Sequence, residues 1–508
     1  MAKISRRDFL KLASVFPAAL TLGKLFPSQR VSLPSQKPHL PNIIFLVFDA
    51  MSAYNLSLYN YPRKTTPNLE RFAKRATVYH SHYSAANFTV PGTSSMLTGM
   101  YPWTHRALQL SGLVARDLAD RNIFNLLGGD FHRLGFSQNV LATNLLNQFR
   151  AGIDDLMPSG SFSELSLLTS EWLKNSAASG YQVQDSVLFD FVDAPGSLIF
   201  GLAHRLYFER VKKTMFDRDF PRGIPQARND PIIFRLEHVF DGLMNTLDGL
   251  PEPNFSYIHI FSPHAPYRAR RDFIGIFDDG WNQVRKPEHA FTEGESYDVT
   301  ERNRVWYDEY IANVDFEFGR LLDHLEQSGR LDNSYLIVTS DHGELLERGV
   351  KGHVTPLLYE PLVRVPLLIS SPGQTQGLSV HSPTVSVDLL STLLNLAGRE
   401  IPSWVEGKLL PGLGGSEEPE RAIFMLEAKS SSAFRRLAKV TLAMRKGRYK
   451  IIFYRGYDVF EEDVFEFYDL ENDPEEMDDL SNKLPGLAGE FRGELMRQLE
   501  EVNEPFSV

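Results

Sequence analysis

A run of apolar residues that ends on an aspartate constrains the fold of this chain more than any other feature. Residues 42–50 read NIIFLVFDA, and residues 334–344 read SYLIVTSDHGE. An uninterrupted run of Ile, Leu, Val and Phe predicts a strand covered on both faces, as in a parallel sheet that lies between helices. Ligands of such sheets bind beyond the carboxyl ends of the strands, so Asp49 and Asp341 are expected at a common site.

Segments with strand and helix patterns alternate along most of the chain. Further strands are predicted in FSYIHIFSPHAPY and VRVPLLIS, and helices in TTPNLERFAKRA, WYDEYIANVDFEFGRLLDHLEQSG and SVDLLSTLLNLAG. The alternation predicts an α/β fold with a doubly wound, mostly parallel sheet sandwiched by helices. We assign residues 41–415 to this catalytic domain, with an insertion at about 150–230 that covers or shapes the substrate cleft, and residues 420–508 to a small C-terminal α+β subdomain.

The first 35 residues carry a different signal. The stretch ISRRDFLKLASVFPAALTLGKLF has paired Arg6 and Arg7 before a moderately apolar run, a pattern that resembles a twin-arginine export signal. A basic amphipathic helix is the alternative. No clear A-x-A cleavage site follows, so attachment to the membrane through this segment stays open. The expected location is periplasmic, extracellular or peripheral on the outer face of the cytoplasmic membrane.

Charge and cysteine content exclude several classes of function. The formal net charge of −11 argues against binding to a nucleic-acid duplex, which needs a basic surface. The absence of cysteine excludes disulfides, thiolate metal sites and a thiol nucleophile. The stretch NFTVPGTSSMLTGMYP instead offers four hydroxyl groups, on Thr89, Thr93, Ser94 and Ser95, as candidate nucleophiles.

The adjacent Asp341 and His342 follow the predicted strand directly. A carboxylate oxygen together with an imidazole suits Mn²⁺, Zn²⁺ or Fe²⁺ better than Ca²⁺, which prefers oxygen ligands alone. An aspartate that closes an apolar run is also a common helix cap or turn residue. Asp49, at the end of a separate strand, favours the metal interpretation.

Several short blocks occur in an order that resembles one enzyme group. They are NIIFLVFDA, TVPGTSSMLTGMYP, FSPHAPY, SDHGE, KGH and YEPLVRVPLLISSPG, followed by VSVDLLSTLLNLAG and YDLENDPEE. In this order they resemble the sulfatase branch of the alkaline phosphatase superfamily, over most of residues 42–479. The resemblance implies an alkaline-phosphatase-like fold and a metal-dependent ester hydrolase.

The resemblance also implies roles for particular residues. Thr89 takes the position of the nucleophile, two residues before a proline. Asp49, Asp341 and His342 take the positions of the metal ligands, and the Thr89 oxygen completes the set around one divalent ion.

Three further residues match positions that face the substrate in the family or lie beside such a position. His264 and His353 are expected to protonate the leaving alcohol, although each could be an ordinary loop histidine. Lys351 is expected to neutralise an oxygen of the substrate, the alternative being an exposed lysine. His259 is expected to point to the other face of its strand, which together with the lack of a further acidic ligand favours a single ion.

The chain departs from the sulfatase pattern at three positions. Sulfatases carry Cys or Ser where this chain has Thr89, and convert it to formylglycine, an aldehyde that Thr89 cannot form because its β-carbon bears a methyl group. Ala50 stands in place of a second Asp, and Thr93 in place of an Arg. These departures predict action on phosphate esters, as a phosphodiesterase or phosphatase with a phospho-threonine intermediate. The substrate is expected to be a small-molecule or surface-bound ester.

Three alternatives to this prediction stay open. One is a sulfuric ester hydrolase with unmodified Thr89. Another is a transferase of the phosphoglycerol or phosphoethanolamine type, and the third is a non-catalytic scaffold that keeps the fold.

Overall fold

The computed structural model describes residues 40–164, 217–227 and 232–506, with isolated positions at 206, 210 and 213. By internal contacts, the described residues from Pro41 onwards form one compact unit. The predicted export signal lies outside the described residues, and so does most of the predicted insertion.

The strands carry most of the architecture. In chain order they are β1 (Asn42–Asp49), β2 (Thr77–Tyr79), β3 (His82–Tyr83), β4 (His132–Ser137), β5 (Asp155–Leu156), β6 (Asn254–Pro263), β7 (Ser334–Ser340), β8 (Leu345–Glu347), β9 (Val350–Gly352), β10 (Leu367–Ser370), β11 (Leu378–Val380), β12 (Thr384–Val385), β13 (Ile423–Glu427), β14 (Val440–Lys446), β15 (Tyr449–Arg455) and β16 (Val464–Asp469). Eight of them form one sheet in the order β11-β2-β10-β7-β1-β6-β4-β5. Among the described strands of this sheet, β10 alone runs antiparallel to its neighbours.

Helices cover this sheet and connect its strands. The described α-helices of four or more residues are Pro67–Ala73, Thr89–Thr98, Pro102–His105, Ile123–Leu127, Val140–Gln148, Leu236–Gly249, Tyr297–Gln327, Glu360–Val363, Asp388–Leu396 and Pro485–Asn503. None of the helices in the described part of the chain combines the length and hydropathy needed to cross a bilayer.

The centre of the sheet explains why the sequence folds this way. Every residue of β1 is buried, as expected for a strand with helices on both faces. One face carries Leu46 and Phe48, which pack with the long helix Tyr297–Gln327 in a single hydrophobic cluster. Because β1 is parallel to both β6 and β7, the carboxyl ends of all three strands lie at one edge of the sheet. The predicted α/β fold is confirmed.

The C-terminal part forms a second sheet. Strands β13, β14, β15 and β16 pair antiparallel in that order. The helix Pro485–Asn503 covers this sheet with Phe491, Leu495 and Leu499.

Candidate active site

The two predicted aspartates meet at the carboxyl edge of the central sheet. Asp49 ends β1, Asp341 follows β7 directly, and both are completely buried. Asp341 Oδ1 accepts hydrogen bonds from the backbone N–H of His342 at 3.0 Å and of Ala50 at 3.2 Å. Ala50 adopts a φ of 59°, a left-handed conformation that few non-glycine residues occupy, and this turn directs its N–H at Asp341. The backbone therefore fixes one oxygen of Asp341.

Thr89 reaches this edge as the first residue of the helix Thr89–Thr98. Its Oγ1 lies 3.3 Å from Nε2 of His342. The helix approaches closely because Gly92 has no side chain: a Cβ at that position would lie 2.3 Å from the carbonyl oxygen of Asp341. Of the other candidate hydroxyls, Ser95 is buried against Nε2 of His105 at 3.1 Å.

Two buried imidazoles flank the carboxylates. Burial acts to lower the pKa of His342, but the charges of Asp341 and Asp49 raise it to about 9. Its Nδ1 donates a hydrogen bond to the carbonyl of Gly343 at 2.8 Å, which leaves Nε2 facing the carboxylates. That Nε2 lies 3.4 Å from Asp49 Oδ1 and 3.5 Å from Asp341 Oδ2. His259 Nε2 lies 3.6 Å and 3.7 Å from the Oδ2 atoms of Asp49 and Asp341.

The prediction that His259 points away from the site is wrong. Residues that alternate along a strand share a face, and Ile258 and Ile260 lie on the face that packs with the long helix. His259 is therefore on the opposite face, in register with Val47 of β1, and Asp49 lies two residues beyond Val47 on that same face.

The arrangement fits a divalent cation. Asp49, His259 and Asp341 each offer a ligand atom, and these atoms lie within 4.8 Å of one another. Within the described part of the chain, Asp49 Oδ1, His259 Nε2 and Asp341 Oδ2 are buried without a hydrogen-bond partner. Buried polar atoms are rarely left unpaired, and a set of carboxylate oxygens and imidazole nitrogens is one that Mn²⁺, Zn²⁺ and Fe²⁺ accept.

Electrostatics point the same way. Burial, reinforced by the charge of Asp49, raises the pKa of Asp341. Burial also acts to raise the pKa of Asp49, but the imidazoles of His264, His259 and His342 hold it well below its usual range. The pKa of Asp341 is raised while that of Asp49 is lowered. Two facing carboxylates with pKa values shifted in opposite directions need a nearby positive charge to ionise together.

Asn139 is a site residue that the sequence interpretation missed. It follows β4, and its Oδ1 caps the helix Val140–Gln148 by accepting from the N–H of Leu141 at 2.8 Å. Its Nδ2 donates to Asp49 Oδ2 at 2.5 Å and to Thr89 Oγ1 at 3.2 Å. Its position just after a strand could have indicated Asn139, but the stretch HRLGFS was not predicted to be a strand.

The predicted substrate-facing histidines form a row beside the carboxylates. The ring of His353 lies 4.2 Å from that of His342 and 4.8 Å from that of His264. Nδ1 of His353 lies 3.2 Å from Oε1 of Glu344, whose pKa burial raises to about 7. Burial lowers the pKa of His264, and the charge of Asp49 partly opposes this effect.

Two cavities open beside this row of histidines. The Lys351 cavity, about 640 Å³, is lined by Lys351, whose side chain is exposed, and by His264 and His353. The Thr89 cavity, about 450 Å³, is lined by Thr89, Asn139 and the same two histidines. The structure thus brings Asp49, Thr89, Asp341 and His342 together, with His264 and His353 alongside, and places Lys351 on the wall of the adjoining cavity.

Comparison with known proteins identifies the family. Residues 41–192 and 231–399 match the family model described as Sulfatase. The chain belongs to the sulfatase family. Residues 354–504 also match the model described as N-sulphoglucosamine sulphohydrolase, C-terminal.

Several known proteins are similar to this chain over most of its length. The choline-sulfatase of Rhizobium meliloti is 23% identical over 476 residues, which cover 88% of this chain and 83% of that protein. The structure of the phosphonate monoester hydrolase from Silicibacter pomeroyi superposes with a TM-score of 0.64 at 20% identity, covering 91% of this chain and 96% of that one. That of BT4656, solved with its substrate D-glucosamine-2-N,6-O-disulfate, gives a TM-score of 0.62 at 20% identity, covering 92% and 98%.

These findings confirm that the chain is an ester hydrolase of the sulfatase family. The names of its relatives support the sulfuric-ester alternative better than the phosphodiesterase prediction. Of the three departures from the sulfatase pattern, the one at Thr89 concerns the predicted nucleophile.

Proposed function

We propose that this chain is a metal-dependent hydrolase of tetrahedral oxyacid esters that carry one negative charge, with Thr89 as its nucleophile. Sulfate monoesters, phosphodiesters and phosphonate monoesters all have this form. The single observation that carries the proposal is the contact of Thr89 Oγ1 with His342 Nε2 at the edge of the carboxylate cluster.

Charge balance supports a singly charged substrate. Asp49 and Asp341 contribute two negative charges when ionised, which one divalent ion neutralises. The ion would be held by these carboxylates with His259 and His342, and it would supply the acidity of the Thr89 hydroxyl and neutralise the oxygens of the ester. We propose Mn²⁺, Zn²⁺ or Fe²⁺ over Ca²⁺ because imidazole nitrogens belong to the donor set.

The chain's own residues perform the remaining steps. Thr89 loses its proton to water in the cavity, and its Oγ1 forms a bond to the central phosphorus or sulfur while the bond to the alcohol oxygen breaks. Asn139 Nδ2 donates to Oγ1 and stabilises the negative charge on it as the proton leaves. His264 or His353 gives a proton to the departing alcohol. Water then attacks the same central atom, the bond from that atom to Oγ1 breaks, and a proton from the attacking water restores the Thr89 hydroxyl.

Two observations favour different substrate classes. The relatives favour sulfate esters, because most of them are sulfatases by name. Thr89 favours phosphorus esters, because a sulfated threonine lacks the second hydroxyl on its β-carbon that lets formylglycine expel sulfate. We expect phosphorus esters to turn over faster, with sulfate esters as the second candidate.

Localisation follows from the N-terminal pattern alone. We propose export through the twin-arginine route, on the paired Arg6 and Arg7. A fusion of residues 1–35 to a reporter tests this: export that fails when both arginines become lysine supports it.

Parallel assays test the proposed activity. The purified chain with Mn²⁺ is given an aryl phosphodiester, an aryl phosphonate monoester and an aryl sulfate, beside Thr89→Ala. Thr98→Ala is the control, since Thr98 lies in the same helix and bonds only to the backbone of Ser94 among the described contacts. Turnover that disappears in Thr89→Ala and persists in Thr98→Ala supports the proposal; equal turnover in both variants contradicts it.

A further inference from the structure

The two cavities beside the active site differ in chemistry. The Thr89 cavity is lined mainly by apolar side chains, among them Phe88, Leu110, Val140, Leu141 and Phe261. Leu110, which is 43% exposed, lines this cavity and is accessible to a ligand in it. This cavity has a size typical of small-molecule sites.

The Lys351 cavity is charged. Its lining includes Arg268, Glu293, Glu295, Glu344 and Lys351. Thr89 is not among the described residues that line the Lys351 cavity. The cavities meet at His264, His353 and Val354, which line both.

Reaction geometry assigns the two cavities to different parts of a substrate. In phosphoryl transfer the attacking and leaving oxygens lie roughly in line, on opposite sides of the central atom. A leaving alcohol therefore points away from Thr89, past His264 and His353, towards the Lys351 cavity. A substituent that stays on the central atom projects sideways from that line, where the apolar Thr89 cavity offers space.

We infer that the Thr89 cavity binds an apolar substituent that remains on the central atom during the reaction. The inference rests on the proposed function and narrows it. A sulfate monoester has no such substituent, since its three remaining positions are oxygens. The substrate is then a phosphodiester with an apolar alkoxy arm or a phosphonate monoester with an apolar carbon arm.

Two matched series of esters test this inference. In each, 4-nitrophenol is the constant leaving group, and the retained group on phosphorus is methyl or hexyl, as an alkoxy group in one series and an alkyl group in the other. Because each fully buried methylene strengthens binding by about fourfold, burial of about two of the added methylenes is enough for kcat/KM to rise about tenfold or more from methyl to hexyl. The series with the larger gain in kcat/KM shows whether the arm is attached to phosphorus through oxygen or through carbon.

A pair of leucine variants locates the effect. Leu110→Ser is expected to lower kcat/KM of the hexyl ester by about fivefold and to leave that of the methyl ester within about twofold. Leu113→Ser is the control, because Leu113 is similarly exposed, at 47%, and lies outside the described lining of the cavity. Equal kcat/KM for methyl and hexyl esters in the unmodified chain would overturn the inference.

A binding measurement separates this inference from the proposed function. Calorimetry compares methylphosphonate and hexylphosphonate, added to the full chain with Mn²⁺. Tighter binding of hexylphosphonate that Leu110→Ser removes supports the cavity assignment even if no ester is hydrolysed, in which case the proposed function alone fails. Equal affinities overturn the assignment whether or not hydrolysis occurs.

Discussion

Two clusters of buried charge in this molecule are alike in burial and differ in what neutralises them. In the active site, Asp49 and Asp341 face each other, and their described side-chain partners are imidazoles and the amide of Asn139. Next to the C-terminal sheet, two other carboxylates share a lysine. Lys450 Nζ lies 3.0 Å from Glu360 Oε1 and 2.9 Å from Glu476 Oε1.

The difference fits a structural role for the Lys450 cluster and a role in metal binding for the carboxylates of the candidate active site. Burial acts to lower the pKa of Lys450, but Glu476 and Glu360 raise it above its usual value, so the lysine stays charged. The cation of that cluster is thus a side chain of the protein itself, the ammonium group of Lys450. The active-site carboxylates lack a lysine or arginine among their described partners, which fits a site whose cation is an exchangeable metal ion.

Removing one carboxylate from each cluster is expected to have opposite effects. Asp341→Asn should lower kcat/KM by about a thousandfold, since it removes a residue that supports charge stabilisation in the transition state. Without added metal, its free energy of unfolding should be unchanged or higher, because repulsion between two buried carboxylates is relieved.

Glu360→Gln is the matched comparison. It should leave the activity of the folded protein intact and lower the free energy of unfolding, because Lys450 loses part of its compensation. Activity assays and urea unfolding of both variants check the pair. An Asp341→Asn variant that keeps activity within tenfold of the unmodified chain would contradict the assignment of Asp341 to the active site.

Removing the fixed cation should cost the most stability. Lys450→Met leaves Glu360 and Glu476 buried together, and such a change typically costs about 3–5 kcal/mol in the free energy of unfolding. Lys446→Met, in the same sheet, breaks a partly exposed pair with Glu494 and should cost less than about 1 kcal/mol. Similar losses for the two variants, measured by urea unfolding, would show that burial of the pair is unimportant.

Supplying the exchangeable cation should stabilise only a chain with an intact active site. At about one hundred times its dissociation constant, Mn²⁺ or Zn²⁺ is expected to add about 2.7 kcal/mol to the free energy of unfolding, and a chelator should reverse the gain. Thermal unfolding should show this gain in the unmodified chain and in Lys450→Met, and a much smaller one in Asp341→Asn. A full gain in Asp341→Asn would place the ion elsewhere.

His82 provides a third case, a buried group that stays neutral. Its Nδ1 lies 3.0 Å from Thr384 Oγ1, and burial lowers its pKa to about 3. The folded state therefore disfavours the charged form, so its contribution to stability is complete above pH 6.5 and falls as the pH drops towards 3.

The expected effect is the smallest of the four. Between pH 6.5 and 5.5 the unmodified chain should lose about 1 kcal/mol through this residue. His82→Gln should lack that part of the decrease when unfolding is measured at both pH values. An identical decrease in the variant would mean that His82 does not contribute.

The sequence predicts the carboxylates more readily than the groups around them. Asp49 and Asp341 end apolar runs. In a parallel sheet such residues meet at one edge, and this position does not depend on the conformation of the loops. Thr89, His264 and His353 came from the resemblance, because spacing alone does not choose among the hydroxyls or the loop histidines.

The groups that were missed depend on strand pairing. His259 joins the site because β6 lies in register with β1 and presents alternate residues to one face, information that a single strand does not contain. Asn139 depends on β4, a strand whose polar residues hide its pattern. The contrast between the two cavities depends on loops distant in sequence, which only the folded chain brings together.

The mass of the peptide that contains Thr89, after acid quenching during turnover, tests the central claim most directly. The account predicts that a fraction of this peptide carries on Thr89 the phosphoryl or sulfuryl group that remains after the leaving alcohol has departed, and that Thr89→Ala carries none. A phosphodiester or phosphonate substrate should leave its retained arm on the phosphorus of this adduct. High-resolution mass distinguishes the two groups. Turnover with an unmodified Thr89 peptide and the adduct on another residue would contradict the account.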